Sequence, residues 1–239
     1  EAMKAAQPGM KEYEVEALVE YVFRRNGAAA PAYSSIVGAG ANATILHYIN
    51  NDAELKDGDL LLIDAGAEYE GYASDITRTF PVNGRFTDAQ RDIYELVLDC
   101  QEQCIRMVAP GVTFEEMHDR SVEILTEGMV RLGLLKGDPK KLIEEAGYKK
   151  FYMHRLGHYL GMDVHDAGAY LKDGEPRPVD ATSMATLPRC DRCGGTAVDR
   201  DAVHLARPEK YVVAPPVAPS TMMIEPFRLA EDRRRTPSP

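Results

Sequence analysis

Four consecutive large apolar residues, Leu60-Leu61-Leu62-Ile63, run directly into Asp64 and then Ala65-Gly66. A second extended segment, Tyr72-Ala73-Ser74-Asp75-Ile76-Thr77-Arg78-Thr79-Phe80, follows the turn-rich Glu68-Tyr69-Glu70-Gly71. Two such runs joined by a short turn predict a β-hairpin. With Tyr69 and Glu70 at its tip, Asp64 and Asp75 become cross-strand partners on one face. Like charges placed opposite each other destabilise a sheet by roughly 0.2–1 kcal/mol, and the apolar neighbours of Asp64 argue for burial, which costs more. Arg78 is a candidate counter-charge, but its odd offset from Asp75 sends it to the other face of a regular strand. A bound divalent cation answers the charge better. The competing reading has Asp64 closing one strand and Asp75 opening the next, in another register and with no metal.

The surrounding pattern is α+β. Leu18, Val19, Val22 and Phe23 recur at helical spacing within residues 10–26, and Gly27 follows as a C-terminal cap. Thr87 with Gln90, and Thr113 with Glu116, read as capping boxes ahead of helices ending near Val108 and Leu132, the second stopped by Gly133. Short β-branched runs at 33–37, 44–48, 60–65 and 72–80 predict strands between the first two helices, and strand-like segments resume from Phe151. No repeat period is visible.

Composition separates two regions. Up to Tyr170 the chain carries 17 basic and 28 acidic residues, so the net charge of −10 belongs to that part; 10 of the 15 prolines lie beyond it. Residues 1–170 are therefore read as the folded domain and 171–239 as an aberrant Pro- and Arg-rich tail. The negative charge argues against nucleic-acid binding, and no apolar run reaches membrane-spanning length. Four cysteines are too few for a disulfide scaffold, which points to a reducing, cytoplasmic setting. Cys100 and Cys104, four apart in a helix, read as helix-face residues. Residues 1–4 do not read as a signal peptide, and a chain that opens on Glu1 without an initiator Met is expected to be a piece of something longer.

Four histidines sit in restricted settings: His47 within Thr44-Ile45-Leu46-His47-Tyr48, His154 and His158 within His154-Arg155-Leu156-Gly157-His158, and His165 within Val164-His165-Asp166. Histidines grouped with aspartates signal a metal or acid–base site. Gly157 and Gly161 make a continuous helix across His154 and His158 poor, and the Glu of a His-Glu-x-x-His zinc motif is absent.

These blocks, together with Pro8-Gly9-Met10 and taken in their order and spacing, resemble the catalytic domain of Xaa-Pro aminopeptidases and prolidases, the pita-bread metallopeptidases. The resemblance covers residues 8–170. It implies a pita-bread fold, an antiparallel sheet covered by helices, with two divalent metal ions held by two Asp, one His and two Glu. Asp64, Asp75 and His158 match the first three of these ligands, with Asp75 bridging the ions. His47, His154 and His165 match histidines that line the substrate site. The implied reaction is attack on the peptide carbonyl by metal-activated hydroxide, on peptides with proline second. A carboxylate-rich ligand set favours Mn²⁺ above all, with Co²⁺ or Zn²⁺ as substitutes. A homo-oligomer is left open.

The chain departs from the family pattern after His165. The two Glu ligands are expected in strands bearing Glu-Pro-Gly and Arg-Ile-Glu-Asp-Asp, yet Ala185-Thr186-Leu187-Pro188-Arg189 stands near the first position. Glu225 and Glu231 are weak replacements, only six residues apart and far downstream. A shift of reading frame after about Asp173 would account for this, and so would natural divergence with an insertion. Cys190-Asp191-Arg192-Cys193 resembles a zinc knuckle that lacks its second ligand pair. The functional expectation is thus an Xaa-Pro aminopeptidase impaired in this chain, with prolidase or a non-catalytic pita-bread scaffold as the alternatives.

Overall fold

The computed structural model describes residues 1–179 and, beyond them, only the backbone of the short strand segments Arg189–Cys190, Gly195–Thr196, Leu205–Arg207 and Tyr211–Val213. Glu225, Glu231 and the side chains of Cys190 and Cys193 lie outside the described residues.

After a short α1 (Ala2–Ala5), the amphipathic run forms α2 (Glu12–Arg25), and Gly27 takes the positive φ of 92° that suits glycine past a helix end. Strands β1 (Ala30–Pro31), β2 (Ile36–Ala39), β3 (Leu60–Asp64), β4 (Ala67–Tyr69), β5 (Tyr72–Ala73) and β6 (Thr77–Pro81) then build two three-stranded antiparallel sheets, ordered β2-β3-β6 and β1-β4-β5. All five residues of β3 are buried, which is why its apolar run is continuous rather than alternating. Leu61 and Ile63 pack with Val37, Phe80 and Val15 of α2, while Leu62 joins Ile36, Ala43 and Tyr48 on the opposite face. Asp64 shares the Leu62 face, because alternate residues of a strand point the same way.

Helices α3 (Asp88–Met107) and α4 (Phe114–Arg131) begin where the capping boxes place them: Thr87 accepts from Gln90 N at 3.3 Å and Thr113 accepts from Glu116 N at 3.0 Å. The helices meet around Leu96, Val97, Cys100, Cys104, Val122, Leu125 and Met129. Cys100 and Cys104 are buried free thiols on this helix–helix face, their sulfurs directed at Ser121 O and Met117 O. A short α5 (Pro139–Glu144) follows, and Phe151, Tyr152, Leu156 and Val179 complete the helical core, so this cluster takes in a residue beyond Tyr170.

Three sequence expectations are corrected. Residues 44–48 are not a strand. Thr44 ends a 3-10 turn over Gly40–Thr44 and the chain continues as a bend and turn through His47; Gly40 and His47 adopt positive φ values of 55° and 53°, and side-chain hydrogen bonds replace a ladder. From Phe151 to residue 179 the chain runs as turns and loops, and the only strands there are the small hairpin β7 (Leu171–Lys172) and β8 (Glu175–Pro176). The third correction concerns register. Glu70 and Gly71, with φ of 51° and 82°, form the hairpin tip, so Asp64 pairs with Thr77 rather than Asp75.

Candidate metal and substrate site

Two conditions bring the aspartates together despite that register. The shift moves Asp75, on the link between β5 and β6, by two residues relative to Asp64, and a two-residue shift preserves the face. Asp75 is therefore a diagonal neighbour of Asp64 on the same side. Between β5 and β6, Ala65 N donates to Ile76 O at 3.1 Å and Ser74 N donates to Ala67 O at 3.0 Å, which leaves Gly66 facing the Ser74–Asp75 backbone. A Cβ on Gly66 would stand 1.6 Å from Ser74 O. Only glycine permits this approach.

Both carboxylates are buried, Asp64 to 6% exposure and Asp75 to 7%. The hydroxyl of Tyr33, on the link between β1 and β2, is hydrogen-bonded to Asp64 Oδ1 and lies 2.7 Å from Asp75 Oδ1. A phenol has one proton to donate, so it serves one carboxylate at a time and removes the charge of neither. Sequence reading missed Tyr33, because a lone tyrosine in a short strand-like run carries no spacing signal.

His158 approaches from the 151–170 loop, which Ala73 N ties to the sheet by donating to Gly161 O at 2.8 Å. Its Nδ1 lies 2.9 Å from Tyr159 O, and its Nε2 faces Asp75 Oδ2 at 3.5 Å. A carbonyl oxygen can only accept, so Nδ1 carries a proton and, in the neutral ring, Nε2 turns its lone pair toward the carboxylate. A proton or a metal cation reconciles two acceptors placed this way, and an Nδ1–H donated to a backbone carbonyl is the usual support of a metal-ligating histidine. His165 packs edge-on against His158, ring centroids 4.1 Å apart.

A cavity of 280 Å³ opens here, lined by Tyr33, Asp64, Asp75, His47 and His165 together with Ser34, Ile36, Ile49 and Val164. His47 enters it from an exposed turn rather than a strand. His154 is not among its lining residues; its Nδ1 lies 2.7 Å from Arg155 O. Among the described residues no three His, Cys, Asp or Glu side chains converge as a closed metal cage. There are instead two pairs, Asp64 with Asp75 and Asp75 with His158, and Asp75 is common to both. The donor chemistry fits divalent cations, with one carboxylate placed between two ligand positions.

The Metallopeptidase family M24 model matches residues 1–188. The chain belongs to that family. It is 52% identical over 172 residues to the Xaa-Pro aminopeptidase of Escherichia coli, an alignment covering 72% of this chain and 39% of that one. A probable Xaa-Pro aminopeptidase of Pyrenophora tritici-repentis is 39% identical over 233 residues, covering 98% of this chain and 47% of the relative. Among solved structures, the aminopeptidase PepP of Pseudomonas aeruginosa superposes with a TM-score of 0.74 at 57% identity, covering 75% of this chain and 40% of that one. Escherichia coli aminopeptidase P in complex with substrate gives 0.72 at 50% identity, with 75% and 40% covered. The fold of this M24 chain is accordingly the pita-bread α+β fold. The chain spans about two fifths of the length of the first curated relatives it matches.

Proposed function

We propose that this chain carries the catalytic site of an Xaa-Pro aminopeptidase, the activity that releases the first residue of peptides with proline second, impaired here by an incomplete ligand set. The observation that carries the reading is Asp75, one buried carboxylate that meets Asp64 through the Tyr33 hydroxyl and His158 Nε2 through its other oxygen. Asp64, Asp75 and His158 would hold two divalent ions, Mn²⁺ by preference for an oxygen-rich set. Such ions supply Lewis acidity at a carbonyl oxygen and lower the pKa of coordinated water.

The protein's own contribution is placement. His47 and His165 line the cavity beside the two aspartates, where an imidazole N–H can donate to a carbonyl oxygen that gains charge during attack. His154, outside that lining, is assigned the same work by the family resemblance alone. Ile36, Ile49 and Val164 provide an apolar wall, suited to a proline ring whose nitrogen offers no N–H to recognise.

The non-catalytic scaffold has one observation in its favour, the absence of a closed cage of three or more ligands among the described residues. Incubating the chain with Mn²⁺ and an Xaa-Pro-Xaa tripeptide, with Xaa-Ala-Xaa alongside, tests the reading. Mn²⁺ binding, with whatever residual cleavage there is confined to the proline peptide, supports it. Neither cleavage nor Mn²⁺ binding by calorimetry would leave the scaffold.

A further inference from the structure

Glu12, the first residue of α2, is fully buried at 0% exposure although it is a carboxylate. Four donors converge on it. Oε1 accepts from Ala39 N at 2.7 Å and from Asn42 Nδ2 at 3.1 Å; Oε2 accepts from Tyr48 OH at 2.8 Å and from Ala53 N at 2.9 Å. Asn42 Nδ2 also donates to Tyr48 OH at 2.9 Å, and of the two acceptors of the phenol proton Glu12 Oε2 is the nearer, at 2.8 Å against 3.3 Å for Asp52 Oδ1. Burial, and then the Glu12 carboxylate, push the Tyr48 phenol up to about 12, so it stays a donor. All four donors lie in or beside one segment, from the end of β2 through the 3-10 turn to Ala53. His47 is at the middle of that segment, next to Tyr48, with its strained φ of 53°.

We propose that Glu12 is the positioning residue of the 40–53 segment and, through Tyr48, of the His47 side chain in the cavity. Its consequence for the reaction rests on the functional reading of His47 given above; the positioning itself does not. The two acceptor oxygens are specific. Each oxygen receives one backbone N–H that cannot turn away, so an amide in place of the carboxylate must set an NH₂ against Ala39 N or Ala53 N. A second anchor, Asn51, accepts from Val37 N at 2.9 Å and donates to Ser35 O at 2.8 Å, and thereby holds the far end of the segment to the edge of β2.

The test is amide hydrogen exchange, residue by residue, on the wild-type chain and on Glu12→Gln, with the His47 imidazole followed by NMR. A buried donor left unsatisfied favours local opening, so exchange at Ala39, Ala53 and the intervening amides should rise roughly tenfold or more. Leu61 and Ile63 in β3 should keep their protection, and the His47 resonance should shift or broaden. Tyr48→Phe removes one donor without changing shape and should move the same signals by less; it carries the test if Glu12→Gln does not fold. Unchanged exchange over 39–53 in a folded variant, or a rise shared equally with β3, overturns the proposal. Where turnover is measurable, His47→Ala separates the two claims. No change in kcat/KM in that variant removes His47 from the reaction, while the exchange data still decide whether Glu12 positions it.

Discussion

Asp75 concentrates the contacts of the candidate site in one side chain. Its carboxylate touches both the Tyr33 hydroxyl and the His158 ring while almost wholly buried, so its charge must be answered locally. Asp75→Asn removes that charge from both ligand pairs, and the expected outcome is loss of bound Mn²⁺, read as the metal-to-protein ratio by elemental analysis. An unchanged ratio would take Asp75 out of the site. Tyr33→Phe keeps the ring and removes the hydroxyl that spans the two carboxylates. Supporting hydrogen bonds of this kind are worth roughly 10–100-fold in metal affinity, and a Mn²⁺ titration should show a loss in that range. For His165→Ala the expectation differs: in an active form of the enzyme carrying a complete ligand set, kcat/KM falls while metal content stays, because the imidazole is assigned to substrate.

Among the elements, the β3–β6 hairpin and the helix caps make a useful contrast. Gly66→Ala would drive a methyl into the Ser74 carbonyl, which is backbone and cannot rotate aside. The link carrying Asp75 must then move, so this substitution should reduce both stability and metal binding; denaturant titration and metal analysis check the two together. Thr113→Ala is the control for that pair of measurements, since it removes the acceptor for Glu116 N at the start of α4, far in the chain from the aspartates. A lost cap costs about 0.5–2 kcal/mol, and metal binding should be unchanged once the folded fraction is accounted for. Gly66→Ala is thus expected to act on the candidate site and Thr113→Ala on the fold alone, a difference that urea melts of the metal-free and Mn²⁺-loaded protein would resolve.

At the scale of the whole molecule, three candidate metal ligands fall among the described residues, while Glu225 and Glu231 do not. Neither lies at the spacing the family pattern calls for, and a site short of carboxylates holds its ions with less charge. Little or no turnover of an Xaa-Pro-Xaa tripeptide is therefore expected from the chain as it stands. Each tenfold loss of rate needs only about 1.4 kcal/mol of transition-state stabilisation, so a single weakly held ion is enough to remove most of the activity. Turnover at the level of an intact enzyme of this family would mean that residues after 179 complete the site.

Local rules were legible in the sequence. Both capping boxes, the α2 periodicity and its closing glycine depend on residues three or four apart, and they appear where the pattern places them. The shared face of Asp64 and Asp75 was legible too, although the turn was misplaced, because the register error was an even number of residues and side-chain direction repeats every two. The tertiary structure decided what depends on distant partners. Tyr33 and Glu12 look like ordinary residues of a strand-like run and a helix start, and only folding sets one between two aspartates and the other beneath the His47 turn. Residues 44–48 have the composition of a strand, but Glu12 and Asn51 take up the polar groups around them, and a segment anchored by side chains has no need of a neighbouring strand.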